Sequence, residues 1–406
     1  MINGLTRIAF AGALAGAMAA SGSAAAQDVK IGALFPMTGD LQAYGGSSAN
    51  GIRLAVEEIN AASGVLGEEL AFAIGDTQTT PQAGVDAANK LVSIENVAGI
   101  VGAMSSGVSI PVARSVSSQK GVPQISNAST SPVITDLDDN GYMFRTVPSD
   151  ALQGIVLGNL AYDEGYRTVS VVYVNNAYGE GLANEFTKQF EKRGGKVAAS
   201  LPYEKGKASY RGELGQAAKG GAEALALIGY PENGTTILRQ ALEEGHFNKF
   251  IFTDGMKAPE VAKNIGGGYL DDAIGTAPSA PEGTMAKEHF GNAYEAKFGE
   301  LPPKPFIDTA YDAVYLLALA MEKAGSTDGE AIRDALNEVA NPPGMKVGPG
   351  EFAKAKDAIA NGEDVNYEGV AGSLDFDGNG DVPGTFEVWS FDGADIETIK
   401  MVESEL

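Results

Sequence analysis

The stretch TVSVVYV, residues 168–174, decides the fold class. It is a nearly continuous run of apolar residues, which is expected of a strand in a parallel sheet covered on both faces. A helix is predicted from Gly181 to Arg193, and further strands are predicted near Val197, at Ala222–Ile228 and at Phe250–Thr253, with helices between them. This alternation indicates a run of βαβ units.

The chain before this stretch shows the same alternation. Val29–Leu34 is predicted to be a strand. A helix follows, because four apolar residues recur at the i, i+3, i+4, i+7 spacing of one helix face. These residues are Ile52, Ala55, Val56 and Ile59, and later strands are predicted at Leu70–Ile74, Gly99–Val101 and Val122–Ser126. Two such runs, in a chain longer than one core usually holds, predict two doubly wound α/β lobes.

The last third of the chain changes character. Helical patterns cover Ala286–Phe298, Phe306–Ala324 and Asp328–Val339 without strands between them. Gly369–Phe376 and Thr385–Ser390 are predicted to form a hairpin that closes on the Asp-Gly-Asn-Gly turn between them.

The first 26 residues have the features of a secretory signal peptide. Arg7 supplies the positive region, Ile8–Ala20 is uncharged and apolar, and Ala24–Ala26 supplies the small residues of a cleavage site. The apolar run is too short to span a bilayer. We therefore predict a soluble mature chain beginning near Gln27 and located in the periplasm, without a lipid anchor because the sequence contains no cysteine.

Composition excludes some partners. The chain has 53 acidic and 29 basic residues and a formal net charge of −24. Such a charge repels phosphate backbones, so binding to nucleic acid is disfavoured.

Catalytic signatures are sparse, and we expect neither an enzyme nor a cofactor. Gly45–Ala49 misses the nucleophile-elbow pattern at its last position. Ser117 and Lys120 fit S-x-x-K, but its companion motifs do not occur in the sequence. His246 and His289 are the only histidines and are far apart in sequence, which favours neither zinc nor Ser-His-Asp chemistry.

The run DFDGNGD at residues 375–381 copies the first seven positions of an EF-hand calcium loop. Position 12 would be Phe386, where a calcium site needs a bidentate glutamate. A turn is the alternative interpretation, since Asp, Asn and Gly tolerate positive φ. We therefore predict no metal site, with one weak calcium candidate whose ligands would be Asp375, Asp377, Asn379 and Asp381.

Short polar segments follow several of the predicted strands. The carboxyl ends of strands are where open α/β sheets bind ligands. Ser and Thr residues there offer hydroxyl and backbone N–H groups to an anion, and Asp254 could meet a cation. A pocket with both features suits a zwitterion. The segments are Met37–Gly39, Met104–Gly107, Asn127–Pro132, Gly229–Tyr230 and Thr253–Gly255.

At these segments the sequence resembles the periplasmic branched-chain amino-acid-binding proteins of ABC importers, the Leu/Ile/Val-binding family. The resemblance covers essentially the whole mature chain. The matching stretches are IGALFPMTGDLQAYG (31–45), VGAMSSGVSIPVA (101–113), ISNASTSPVIT (125–135), FRTVPSD (144–150), YGEGLA (178–183) and PFIDTAYDA (305–313).

The resemblance implies a type I periplasmic binding protein. Its fold is α/β, with two Rossmann-like lobes whose parallel sheets are joined by three crossovers. Lobe 1 is expected to comprise residues 27–147 and 277–384, and lobe 2 residues 148–276 and 385–406, with the ligand cleft between them.

The resemblance also implies roles for individual residues. Ser106 and Thr130, with Ala128, are similar to the residues of the first lobe that hold the ligand carboxylate and amino group. Tyr230 is similar to the tyrosine of the second lobe that closes over the ligand. Asp254 lies where the family has an acidic residue that pairs with the ammonium, although the best-known members have a longer Glu there.

Four other residues match positions in the family's cleft. Tyr44, Met104 and Phe306 fall where side chains line the apolar part of the pocket, and Tyr178 matches a cleft tyrosine. The stretch Pro342–Tyr367 is longer than in the best-known members.

These features predict a monomeric protein that captures a free amino acid, branched-chain or another small aliphatic one, and delivers it to an ABC permease. Binding should close the lobes by a hinge motion. Two alternatives stay open. The ligand could be another small carboxylate or amide, such as an aromatic acid or a urea-like compound, or the protein could be the ligand-sensing partner of a membrane receptor. Asp254 argues against a plain anion, because two unpaired buried negative charges repel.

Overall fold

The computed structural model describes residues 28–266 and 268–403. The predicted signal peptide at residues 1–26 lies outside these ranges. Among the helices of the described ranges, none is long and apolar enough to span a membrane.

The chain up to residue 145 alternates strands and helices, as the apolar spacing predicts. The helix predicted from Ile52, Ala55, Val56 and Ile59 buries all four side chains. The elements are β1 (Val29–Phe35), α1 (Gln42–Ala61), β2 (Leu70–Asp76), α2 (Pro81–Ser93), β3 (Ile100–Gly102), α3 (Ser106–Val112), α4 (Ser118–Lys120), β4 (Gln124–Ser126) and β5 (Met143–Arg145).

The middle of the chain repeats this alternation around the stretch at residues 168–174, which forms a strand over the predicted range. The elements are α5 (Asp150–Asp163), β6 (Thr168–Val174), α6 (Ala177–Lys192), β7 (Lys196–Tyr203), α7 (Arg211–Ala217), β8 (Ala224–Ile228), α8 (Pro231–Glu243), β9 (Phe250–Phe252), α9 (Pro259–Ile265) and β10 (Ile274–Pro278).

The last part begins with the three predicted helices and ends in an antiparallel pair of strands. Nearly every residue from Ile307 to Met321 is buried, because the helix there packs against both α1 and the helix that follows it. The elements are α10 (Met285–Phe298), α11 (Ile307–Ala324), α12 (Gly329–Ala340), β11 (Met345–Val347), α13 (Phe352–Ala360), β12 (Val365–Gly369), β13 (Gly372–Ser373), β14 (Thr385–Asp392) and β15 (Asp395–Glu403).

Two main sheets form the cores of two lobes. The first has the order β2-β1-β3-β4-β5 and is parallel throughout. The second has the order β15-β14-β10-β9-β8-β6-β7 and is parallel from β7 to β10, while β14 and β15 add an antiparallel edge. The chain passes between the lobes after β5, after β10 and before β14, so the predicted α/β class with two lobes and three crossovers is confirmed. The predicted boundary at residues 276/277 falls inside β10, which ends at Pro278.

The predicted C-terminal hairpin is wrong. β13 pairs with β12, and β14 pairs with β10 and β15. The turn between β13 and β14 is bound to the edge of the first sheet instead, where the Arg145 N–H donates to the carbonyl of Gly380 at 3.0 Å. The long apolar strand β14 is buried against the second sheet, which offers it more apolar contact than β13 could.

The same turn bears on the calcium candidate. The carboxylate of Asp381 accepts two hydrogen bonds from the Arg145 guanidinium and one from Thr135. Asp377 caps backbone N–H groups of its own turn. In the ranges that the structure describes, no cluster of three or more His, Cys, Asp or Glu is placed to hold a metal ion. The carboxylates of Asp377 and Asp381 are thus engaged in hydrogen bonds of the turn and of the first sheet.

The stretch Pro342–Tyr367 contains β11, α13 and the start of β12, and β11, β12 and β13 form a small sheet beside α11. Asp312 of α11 holds it in place by accepting hydrogen bonds from the Tyr367 hydroxyl and from the N–H groups of Val370 and Ala371. Burial raises the pKa of Asp312 to about 7, although these three bonds oppose the shift.

Candidate functional site

A cavity lies between the two lobes, at the carboxyl ends of both parallel sheets. This is where open α/β sheets bind ligands. Of the nine predicted site residues, the structure brings together eight around it: Tyr44, Met104, Ser106, Ala128, Tyr178, Tyr230, Asp254 and Phe306.

The wall from the first lobe carries a hydroxyl that is ready to donate. Ser106 is the first residue of α3 and is buried. Its Oγ accepts a hydrogen bond from the N–H of Ser131 at 3.2 Å. That bond uses a lone pair of the oxygen and not the hydroxyl hydrogen, so the hydrogen remains available to an acceptor in the cavity.

Thr130 is the one predicted residue that does not line the cavity. It is fully buried, and its hydroxyl donates to Oδ2 of Asp150 at 2.9 Å. A hydroxyl has only one hydrogen, so with this bond formed Thr130 can accept a hydrogen bond but cannot donate one to a carboxylate. The geometry places Thr130 beside the cavity as a support for Asp150.

The wall from the second lobe is aromatic and acidic. The rings of Tyr178 and Tyr230 stack with centroids 5.7 Å apart. The Tyr230 hydroxyl reaches across the cleft to Ser105 Oγ at 3.0 Å, and the Tyr178 hydroxyl donates to Oδ1 of Asp254 at 3.1 Å. Both tyrosines are therefore fixed in orientation by hydrogen bonds at their outer ends.

Asp254 follows β9 in a short 3₁₀ turn, Asp254–Met256, and is 3% exposed. Its Oδ1 accepts hydrogen bonds from Gln153 Nε2 at 2.9 Å and from Tyr178. Burial raises its pKa to about 6, and these two bonds limit the shift. The carboxylate does not cap the next helix, α9, because the residue before that helix is Ala258 and no side chain caps it.

The sequence did not single out a second buried carboxylate, Asp150 at the start of α5. Its Oδ2 accepts from Thr130, while its Oδ1 has no hydrogen-bond partner among the described residues. Burial, followed by the negative charge of Asp254, holds the pKa of Asp150 well above its usual range. Asp150 is the last residue of the FRTVPSD stretch, which is the one signal that could have revealed it.

Part of the cavity wall is apolar. Tyr44 meets Phe306 edge to face, with ring centroids 6.2 Å apart. Met104 and Leu41 also line the cavity, and Leu41 was not predicted. The Tyr44 hydroxyl donates across the cleft to the carbonyl of Gly255 at 3.0 Å, so this ring is held against the second lobe.

The lobes also touch outside the cavity, at the rim of the cleft. Lys205 Nζ of the second lobe donates to the carbonyl of Thr79 at 2.7 Å and lies 3.1 Å from Oδ2 of Asp40. Asn233 Nδ2 donates to Oδ1 of Asp40 at 2.7 Å. The structure is therefore that of the closed arrangement, in which a ligand would be shielded from water.

The charges of the site define what it can hold. Within the described ranges, no Lys, Arg or His lines the cavity. The buried carboxylate of Asp254 needs a cation, and the free hydroxyl of Ser106 needs an acceptor. With the apolar side chains that also line the cavity, the arrangement fits a small zwitterion with an aliphatic side chain.

Two parallel-sheet lobes closing on such a cavity define a ligand-binding protein of the two-lobed type. The chain belongs to the periplasmic binding protein family, whose model matches residues 28–363. This confirms the resemblance seen in the sequence, and the family is one of substrate-binding proteins and not of enzymes.

Individual relatives agree with this assignment. A leucine-, isoleucine-, valine-, threonine- and alanine-binding protein of Pseudomonas aeruginosa is 34% identical, over 82% of this chain and 87% of the relative. A Leu/Ile/Val-binding protein homolog of Brucella abortus is 30% identical, over 81% of this chain and 87% of the relative. The crystal structure of a leucine-binding protein from Thermotoga maritima matches with a TM-score of 0.79 and 26% identity, covering 92% of this chain and 99% of that one.

Proposed function

We propose that this protein captures a free amino acid with a small aliphatic side chain, a branched-chain one foremost, and delivers it to the permease of an ABC importer. The ligand carboxylate would accept from Ser106, and its ammonium would lie against Asp254. The side chain would lie against the apolar part of the cavity wall, beside Tyr44 and Phe306.

The observation that carries this proposal is the buried carboxylate of Asp254, which lines a cavity that no basic side chain lines in the described ranges. A ligand that brings its own ammonium compensates this carboxylate. An aromatic acid or another plain carboxylate would add negative charge beside it, and a neutral urea-like amide would leave it uncompensated.

The names of the relatives support the same ligand class. The Pseudomonas aeruginosa relative binds leucine, isoleucine, valine, threonine and alanine. Such a set requires a pocket that recognises the shared α-amino and α-carboxylate groups and tolerates different small side chains. The cavity here is lined both by fixed polar groups, Ser106 and Asp254, and by apolar side chains such as Met104 and Phe306.

Three further features belong to the proposal. The chain is secreted to the periplasm by the signal peptide predicted at residues 1–26, acts as a monomer, and binds without turnover. The predicted lobe boundaries at 147/148 and 384/385 are also proposed, since β5 ends at Arg145 and β14 begins at Thr385.

A thermal-shift screen tests the ligand class. The protein, refolded from denaturant to release any carried ligand, is heated with leucine, isoleucine, valine or alanine, and in parallel with benzoate or urea. A ligand at a hundred times its Kd adds about 2.7 kcal/mol of stability. We expect the aliphatic amino acids to raise the Tm and benzoate and urea to leave it unchanged. A shift with benzoate alone would contradict the proposal.

A further inference from the structure

The backbone of Ser131 connects the binding wall of the first lobe to a distant part of the chain. Its N–H donates to Ser106 Oγ at 3.2 Å. In this bond Ser106 is the acceptor, so its hydroxyl hydrogen remains free for the cavity. Its carbonyl accepts from Arg145 Nη1 at 3.1 Å. Its own hydroxyl donates to the carbonyl of Ala177 at 2.8 Å, at the start of α6 in the second lobe. The position of Ser131 therefore determines how Ser106 presents its hydroxyl.

Arg145 is in turn held by the loop that resembles a calcium site. Its side chain is fully buried, and both Nε and Nη2 lie 2.6 Å from the two carboxylate oxygens of Asp381. Such a bidentate pair fixes the plane of the guanidinium as well as its position. Thr135 completes the arrangement, because its hydroxyl donates to Asp381 and accepts from Arg145 Nη2.

Hydrogen bonds hold the loop at a crossover between the lobes. Asp377 Oδ1 accepts the N–H groups of Asn379 and Asp381, and the Arg145 N–H donates to the Gly380 carbonyl. The next residues, 382–384, carry the chain into the second sheet. Asp381 therefore connects the crossover at residues 382–384 to Ser131 through the buried guanidinium of Arg145.

We propose that Asp381 is a positioning residue for ligand binding, which acts through Arg145 and Ser131 to orient the Ser106 hydroxyl toward the ligand carboxylate. This inference rests on the proposed function, since it takes Ser106 as the carboxylate contact. It also gives the acidic loop a role that needs no metal.

A double-mutant cycle separates positioning from mere support of the fold. The full chain is compared as D381N, S106A and the double variant, with leucine as the probe in calorimetry. If Asp381 acts through Ser106, D381N weakens leucine binding about tenfold when Ser106 is present, and less than about twofold in the S106A background. An equal loss in both backgrounds, or no loss in either, would overturn the inference.

Two further variants serve as a control and a milder test. D377N makes the same substitution in the same loop, but its amide oxygen can still accept the backbone N–H groups, so affinity should stay within about twofold. T135V keeps both charges of the buried pair and removes one hydroxyl. It should therefore fold even if D381N does not, and it should weaken leucine binding in the same direction, again only when Ser106 is present.

A readout without ligand distinguishes failure of this inference from failure of the proposed function. If the unmodified protein does not bind leucine, the proposed function fails. Hydrogen exchange of the ligand-free protein then tests whether Asp381 positions Ser131. D381N should speed exchange in the peptide covering residues 127–135 by about tenfold relative to D377N, because the Ser131 N–H bond is loosened. Equal exchange in the two variants would overturn the positioning role.

Discussion

The two walls of the cleft are built from equivalent places in two similar sheets, yet their chemistry differs. The wall of the first lobe presents a neutral hydroxyl, Ser106, and the small Ala128. The wall of the second lobe presents a buried carboxylate, Asp254, which accepts from Tyr178, and the ring of Tyr178 stacks on Tyr230. A ligand with one charge satisfies only one wall. A bipolar ligand is therefore needed to make closure of both lobes favourable.

Removing the charge of the second wall should have the largest effect. In Asp254→Asn the ligand ammonium would be buried without a counter-charge, which costs on the order of 3–5 kcal/mol. Leucine affinity should fall at least about a hundredfold in calorimetry. Asp312→Asn is the matched control, because Asp312 is also fully buried but accepts hydrogen bonds from Tyr367, Val370 and Ala371 and does not line the cavity. An Asp254→Asn protein with unchanged affinity would mean that the two walls do not differ in function.

Removing the hydroxyl of the first wall comes next. Ser106→Ala deletes one hydrogen bond to a charged carboxylate, worth about 1.5–3 kcal/mol, so leucine affinity should fall about ten- to a hundredfold. Ser47→Ala is a control of the same type on α1, where the Ser47 hydroxyl bonds only the Tyr44 carbonyl of its own helix. Comparable losses for both variants in isothermal titration would refute the assignment of Ser106.

Changing the pH should alter leucine affinity through the wall of the second lobe alone, because that wall carries Asp254. The pKa of Asp254 is raised to about 6, so lowering the pH from 7 to 5 protonates it in the free protein. Leucine affinity should then fall by about tenfold. The stability of the ligand-free protein changes in the opposite sense. The folded state binds the extra proton, so the contribution of Asp254 to stability is present at low pH and lost as the pH rises through about 6.

Asp254→Asn supplies the check on this pH dependence, since the variant lacks the titrating carboxyl. The difference in unfolding free energy between the parent and the variant, measured by urea denaturation at pH 5 and at pH 7, isolates the contribution of Asp254 from that of Asp312. The difference should shift in favour of the parent at pH 5. A difference that does not change with pH would show that Asp254 keeps an ordinary pKa.

Weakening the contact between the walls should have the smallest effect. Tyr44→Phe keeps the aromatic surface of the cavity and removes only the hydrogen bond across the cleft to Gly255. A neutral hydrogen bond contributes about 0.5–1.5 kcal/mol, so leucine affinity should fall by about two- to tenfold. The change should appear in the dissociation rate measured by stopped flow, since closure retains the ligand. A slower association with normal dissociation would argue against this role.

Much of this site could be predicted, because it depends on local rules. Parallel strands bring their carboxyl ends together, so polar residues just after strands become neighbours without any knowledge of distances. Ser106 and Asp254 were found in this way. The resemblance to a family added the aromatic residues Tyr44, Tyr178 and Phe306, which an apolar spacing alone would assign to the core.

What could not be predicted depends on pairing between remote segments. Asp150 looks like an ordinary first-turn helix residue until Thr130 is seen to donate to it. The family resemblance implied a direct ligand contact for Thr130, and the sequence does not show that its hydroxyl donates to Asp150. The run DFDGNGD (375–381) was likewise read as a possible calcium site, because the sequence does not show that Asp381 pairs with Arg145 of β5.

Calorimetry of the unmodified protein with leucine and with isocaproate, which is leucine without its amino group, tests the bipolar site most directly. Both ligands offer the same side chain and the same carboxylate, so they differ only in the group that should face Asp254. We expect leucine to bind at least about a hundredfold more tightly than isocaproate. Equal affinities, or tighter binding of isocaproate, would contradict the conclusion that the acidic wall recognises an ammonium group.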